Sequence, residues 1–162
     1  MATPIITLLG SDQATAVSEW HVGIVKAGND SAVLEVNVWN NKGGSAAVSD
    51  LIESTVAVKD GNGDDTGAVP AGLWVQTLID TTADVDASST KQYSKIGGQT
   101  TRPLRGNGIL ASAGDVISGA INDGTAANSG KNYCNCKFKV NVPQNSVSGT
   151  QQFKIRFQGY YV

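Results

Sequence analysis

Apolar and polar residues alternate strictly in the last third of the chain, and this pattern limits the possible folds more than any other feature. The alternation runs through residues 134–142 and returns at residues 153–158 after a polar turn. A period of two is typical of a β-strand with one buried face. Pro143 has no N–H to donate, and it therefore predicts the end of the first strand. The predicted buried faces consist of Cys134, Cys136, Phe138, Val140, Val142, Phe153, Ile155 and Phe157.

Five further segments are predicted to be strands; the first three alternate less regularly, and the fourth is apolar enough for both of its faces to be covered. They are a strand near residues 18–26, then Ala32–Trp39, Leu51–Lys59, Gly72–Asp80 and the weaker Gln92–Ile96. The turn-forming run after the third segment predicts a hairpin. The residues predicted to share the inner faces of the first three segments are Trp20, Val22, Ile24, Leu34, Val36, Val38, Ser54, Val56 and Val58. Glu35 and Asn37 are predicted to point outward.

These segments together predict an all-β fold. About seven to nine short strands with frequent turns are typical of an antiparallel β-sandwich of immunoglobulin-like type, and a β-barrel is the alternative. Helices are conceivable only at residues 11–18 and 111–118. The 19 glycines and the charged fraction of 16% agree with many short strands and turns. A chain of 162 residues is long enough for one core, so residues 1–162 are predicted to form a single domain.

The region of residues 97–131 is rich in glycine and has little periodicity. Loops of this length inside a compact domain are usually functional or ordered by a partner. We therefore predict a loop-rich insertion or contact region here. Two short strands without clear limits are the alternative.

Charge and hydropathy exclude two large classes of partner. Twelve basic residues against fourteen acidic ones leave no surplus to neutralise a phosphate backbone, so nucleic-acid binding is not expected. No apolar run approaches the roughly 20 residues that span a bilayer. The N-terminus has no basic start before its short apolar run, so no signal peptide is expected. A chain that folds in the host cytoplasm but has the composition of an extracellular β-protein suits a component of a virion.

The inventory of reactive groups predicts no enzyme and no cofactor. The single histidine, His21, has the opposite parity to Trp20 and Val22, and it is predicted to face solvent or a subunit contact. No Gly-x-Ser-x-Gly motif, phosphate loop or dinucleotide fingerprint accompanies it. Cys134 and Cys136 lack the further ligands of a zinc site. They are predicted to be buried, reduced thiols, with intermolecular or metal-mediated bridging as the alternative.

Two weaker candidates for a binding site remain. Asp60, Asn62 and Asp64 occupy positions 1, 3 and 5 of an EF-hand-like loop, but Asp65 replaces the glycine of position 6 and Ala71 the glutamate of position 12. A weak surface calcium site is therefore one interpretation, and a simple turn is the other.

The second candidate is a tryptophan. Trp39 has the opposite parity to Val36 and Val38, so it is a candidate for an exposed ligand-binding or interface residue. Aromatic side chains of this kind stack on sugars or anchor protein contacts.

Several segments resemble small, immunoglobulin-like structural proteins of tailed double-stranded DNA bacteriophages. They are Val38–Gly44, Val48–Asp50, Ile96–Gly98, Gly119–Thr125 and Val142–Ser146 before the aromatic last strand. The resemblance covers most of the chain, but its motifs are turns and core strands. It implies a fold and a place in a virion, and it transfers no catalytic residue.

The function implied by this resemblance is that of a non-enzymatic virion protein, with a capsid decoration protein on the outer shell preferred. The expected partners are other virion proteins, above all the major capsid protein, together with further copies of this chain. A tail, baseplate or fibre-associated protein with a carbohydrate-binding or adhesive role is the alternative.

Overall fold

A computed structural model describes residues 2–79, 92–106, 116–129 and 131–161, which form an all-β sandwich. A five-stranded antiparallel sheet has the order β1-β2-β7-β4-β5, and a three-stranded sheet has the order β6-β3-β8. The prediction of an antiparallel β-sandwich is confirmed. The elements are β1 (Ile6–Leu9), β2 (Leu34–Asn40), β3 (Ile52–Asp60), α1 (Ala68–Ala71), β4 (Val75–Ile79), β5 (Ser94–Ile96), β6 (Arg102–Pro103), β7 (Tyr133–Val140) and β8 (Phe153–Tyr160).

The two strands with the clearest alternation, β7 and β8, form as predicted. In β7 every second residue is buried, and in β8 Phe153, Ile155 and Phe157 are half-buried while Lys154 and Arg156 are exposed. β7 lies at the centre of its sheet between β2 and β4, and the residues of its apolar face are buried along its whole length.

The core lies between the two sheets. Phe138 of β7 and Phe157 of β8 meet across it, with an edge-to-face contact of 6.1 Å between ring centroids. Burial of each large apolar side chain stabilises the fold by roughly 1.5–3 kcal/mol. The fully buried side chains of the core include Val56, Val58, Val75, Ile79, Ile96, Leu104, Ile117, Cys134, Cys136 and Phe138.

The strand predicted near residues 18–26 does not form. Its ends are held by hydrogen bonds from the Val17 amide to the Leu8 carbonyl and from the Gly28 amide to the Val142 carbonyl. Between them the chain crosses the side of the sandwich without pairing to a strand, and Gly23 has a φ of 75° that breaks an extended course. We call residues 18–27 the crossing segment. The three residues of its predicted inner face have different environments. Trp20 and Val22 pack against the core, but Ile24 is wholly exposed.

The outer face of β2 is also different from the prediction. Asn37 and Trp39 were expected to point to solvent, but both are fully buried. The loop after β1 covers them, since the Asn37 Nδ2 donates to the Gly10 carbonyl at 2.8 Å. This loop is not the helix conceived for residues 11–18.

The run after β3 is not a hairpin turn, because β3 pairs with β6 and β8 and the chain continues into the single turn of α1. The strand predicted from Gly72 begins only at Val75, since Leu73 has a φ of 54°. Of the second conceivable helix, residues 111–115 lie outside the described residues, and residues 116–118 are not helical.

The described part of the 97–131 region contributes to the core. It contains the short strand β6, and Leu104 and Ile117 are buried at 1% and 0% exposure. Ile117 also forms an isolated antiparallel bridge with Leu51. Residues 107–115 and 130 of this region lie outside the described residues, and its contact role stays a prediction.

Candidate interaction surfaces

Trp39 is not an exposed platform, and the prediction of its exposure is wrong. Its side chain is 0% exposed, its Nε1 donates to the Oε1 of Gln13 at 2.7 Å, and its ring stacks on Tyr133 with centroids 4.7 Å apart. The alternation in β2 gave the wrong prediction because the loop after β1, which is distant in sequence, covers the outer face of β2. Trp39 therefore has no free surface on which to stack a sugar or to anchor a partner.

The loop after β3 is organised by one carboxylate. The Asp60 Oδ1 accepts hydrogen bonds from the amides of Asn62, Gly63 and Asp64, at 2.9, 3.0 and 2.9 Å. Hydrogen bonds from the backbone, that of Asp64 foremost, lower the pKa of Asp60. The Asp60 side chain thus organises this turn through the backbone amides of Asn62, Gly63 and Asp64, as the simpler interpretation predicts. A weak surface calcium site at Asp60, Asn62 and Asp64 stays a prediction. Among the described residues no group of three or more His, Cys, Asp or Glu could hold a metal.

The two cysteines are buried, as predicted. Their Sγ atoms lie 3.9 Å apart on the inner face of β7, and neither forms a disulfide. Burial raises the pKa of the Cys136 thiol well above its ordinary value. The raised pKa disfavours the reactive thiolate of Cys136, and both side chains are fully buried in the core.

His21 faces solvent, as its parity predicted. Its side chain is 90% exposed, and its Nε2 lies 3.2 Å from the Oε2 of the equally superficial Glu19. Such an exposed pair contributes little to stability. Both residues line one wall of a cleft that is described next.

β8 contributes to three clefts that are lined wholly by described residues. The first, of about 410 Å³, separates residues 17–21 from Phe153, Ile155 and Phe157. The second, of about 570 Å³, lies between the crossing segment and residues 146–151 and reaches Phe153. The third, of about 340 Å³, lies near the last residues of the strand. The inner row of β8 is thus only half covered, because the three-stranded sheet ends there.

Exposed apolar side chains cluster at both ends of β8. Beside its first residue, Ile24 and Val147 flank the 570 Å³ cleft at 100% and 86% exposure, and we call this pair the loop-end patch. Beside its last residue lies the terminal patch, in which Ile6 and Tyr161 line the 340 Å³ cleft. The terminal patch consists of Ile5, Ile6, Tyr160 and Tyr161, all at least 45% exposed. These two patches are therefore candidate interaction surfaces.

A buried network of asparagines fixes the loops near the terminal patch. Asn40 is fully buried; its Nδ2 donates to the carbonyls of Ser49 and Ile117 at 3.0 and 3.2 Å, and its Oδ1 accepts from the Ile5 amide at 3.2 Å. Asn41 and Asn132 make similar bonds. Their Nδ2 groups donate to the carbonyls of Gly119 and Ser118 respectively, each at 2.9 Å.

Sequence reasoning missed this network, because Asn40 and Asn41 look like ordinary turn residues. A pair of asparagines directly after an apolar strand was the available signal. Side-chain amides can satisfy several backbone groups at once, which is what a buried junction of loops requires.

No helix in the described residues has the length and apolar character needed to cross a membrane. Comparison of the chain with protein-family models, with curated proteins and with solved structures found no match. The function must therefore be argued from the surfaces of this chain.

Proposed function

We propose that this chain is a non-enzymatic structural subunit of a tailed-bacteriophage virion, and that it decorates the outer shell of the head. The observation that supports this most is the pair of exposed apolar patches at the two ends of β8. A single copy gains nothing by leaving Ile24 and Val147 in water. Contact with neighbouring subunits would bury these side chains and stabilise an assembly.

The position of the patches suits repeated contacts. A surface at each end of one strand allows a subunit to touch two different neighbours, as closed rings and shells with heterologous contacts require. On a capsid, the major capsid protein would cover one patch, and a further virion protein or a second copy of this chain would cover the other.

Rigid presentation of the terminal patch agrees with such a role. Asn40, Asn41 and Asn132 hold the loops around it by side-chain hydrogen bonds to backbone carbonyls. A surface that is ordered before binding loses less conformational entropy when the partner arrives. The resemblance of Val38–Gly44 and Val142–Ser146 to phage structural proteins supplies the virion context.

A subunit of the tail or baseplate would use the same two patches. Locating the subunit in the particle distinguishes a tail or baseplate position from a position on the head. The alternative of a carbohydrate-binding or adhesive role loses its support from Trp39, because that side chain is buried, and only the polar loops still favour it.

The proposal is tested by adding purified chain to particles that lack it and measuring what sediments with them. Wild-type protein is expected to bind at a fixed ratio to the major capsid protein. A double variant, Ile24→Asp with Val147→Asp, is expected to keep its melting temperature but to bind at least tenfold more weakly.

Ile121→Asp is the matched control, because Ile121 is 62% exposed but belongs to neither patch. It should bind as the wild type does. Absence of the wild-type chain from sedimented particles would contradict the virion role, and equal loss for both variants would contradict the assignment of the loop-end patch.

A further inference from the structure

β8 is an edge strand with one free side. It pairs with β3 along residues 153–160 and with no other strand of the described chain. An eight-residue edge exposes unpaired N–H and C=O groups that can accept another extended chain.

The wall opposite this edge is also unpaired. The 410 Å³ cleft separates β8 from residues 17–21, at the start of the crossing segment. Within the described residues, the backbone of residues 18–25 makes no hydrogen bond. An extended segment placed in the cleft would therefore meet free backbone groups on both sides. Its inward side chains would lie over the apolar floor formed by Leu8, Leu34 and Val36.

The charges of β8 indicate what such a segment must carry. Lys154 and Arg156 are exposed and make no hydrogen bond or ion pair with any described residue. Lys154 stands directly opposite Lys59, whose ammonium already pairs with Asp65, so its cross-strand neighbour offers it no counter-charge. Carboxylates on a strand added to the free side would lie opposite both exposed cations.

The same charges argue against pairing between two copies of β8. Such a pair would bring Lys154 and Arg156 of one copy against those of the other, and like charges on neighbouring strands repel. We propose that the free edge of β8 accepts an extended acidic segment of a partner protein, with apolar residues inward and carboxylates outward. This goes beyond the proposed function, because it names the chemistry of the partner and does not depend on the partner belonging to a virion.

The test uses two capped octapeptides in which valine alternates with glutamate or with lysine, together with the full chain. We expect the glutamate peptide to bind about tenfold more tightly than the lysine peptide, with the difference shrinking at high salt. Hydrogen exchange should slow at amides of β8 when the glutamate peptide is added.

A double variant, Lys154→Glu with Arg156→Glu, should fold normally and prefer the lysine peptide. Lys95→Glu is the matched control, because Lys95 is exposed on β5 of the other sheet, and it should bind like the wild type. Equal binding of both peptides, no binding of either, or exchange protection away from β8 would each overturn the inference. So would protection of β8 that grows with protein concentration alone, since the occupant would then be a second copy. If the peptides fail while the chain still sediments with particles, only this inference is lost.

Discussion

Removal of the Asn40 side chain provides a sharp test of how the fold holds its loops. Asn40→Ala deletes three hydrogen bonds: two donated to the carbonyls of Ser49 and Ile117, and one accepted from the Ile5 amide. A hydrogen bond of this kind contributes about 1 kcal/mol, and more where its partner is left buried and unpaired. Ile117 keeps one partner, because its carbonyl also accepts from the Leu51 amide.

The expected loss is therefore about 3 kcal/mol in the free energy of unfolding. For a chain of this size it corresponds to a fall of roughly 6–12 °C in melting temperature. Urea unfolding followed by tryptophan fluorescence measures the first quantity, and calorimetry measures the second. Asn145→Ala is the matched control, since Asn145 is exposed and makes no hydrogen bond in the described structure, and it should change stability by less than about 0.5 kcal/mol.

Asn40→Asp separates the hydrogen bonds from the shape of the side chain. A carboxylate keeps the acceptor for Ile5 but faces two carbonyls without a proton to donate. Protonation restores one donor, so the pKa of the new group should be higher in the folded than in the unfolded chain. The variant should then be less destabilised at pH 4 than at pH 7. If Asn40→Ala were as stable as the wild type, or Asn145→Ala equally damaging, the role given to the network would be wrong.

Three further predictions follow from single contacts. Trp39→Ala should cost about 3–5 kcal/mol in urea unfolding, because a fully buried indole is removed from beside Tyr133, and retention of full stability would contradict that burial. Cys134 and Cys136 should not react with a thiol reagent until the protein unfolds, and rapid labelling of the native protein would show that they are accessible. Asp12 and Asp123 should each titrate at about 2 in NMR, because a hydrogen bond from a threonine hydroxyl holds the pKa of each below 3.8. Since both pKa values are lowered by folding, their stabilising contribution is present above pH 4 and is lost as the pH falls towards 2; midpoints near 3.8 would contradict these bonds.

The sequence predicts the buried residues of a strand correctly only where the second face of that strand is not covered by a distant segment of the chain. β7 and β8 were correctly predicted, because each packs only one face on the core. Their apolar and polar residues therefore alternate along the strand. Asn37 and Trp39 were misjudged because the loop after β1 covers the second face of β2, and no local pattern in β2 records that distant contact. Long-range cover of this kind overrides the local pattern.

The crossing segment illustrates a different limit. Trp20, Val22 and Ile24 have the spacing of a strand, but a strand also needs a partner with a free edge within reach. Here Val17 and Gly28 fix the ends of the segment to the five-stranded sheet, and Gly23 turns the chain. The result is a partly buried crossing with one wholly exposed isoleucine. The patches at the ends of β8 could not be predicted, because each joins residues from two distant parts of the chain.

The proposal of an assembly subunit is tested most directly by a density map of the intact particle at side-chain resolution. We expect one copy of this fold at each symmetry-related position on the outer shell, with Ile24 and Val147 covered by a neighbouring subunit. We also expect the terminal patch to be covered at a second contact. A map with no density for this fold, or one in which both patches face solvent, would contradict the proposal.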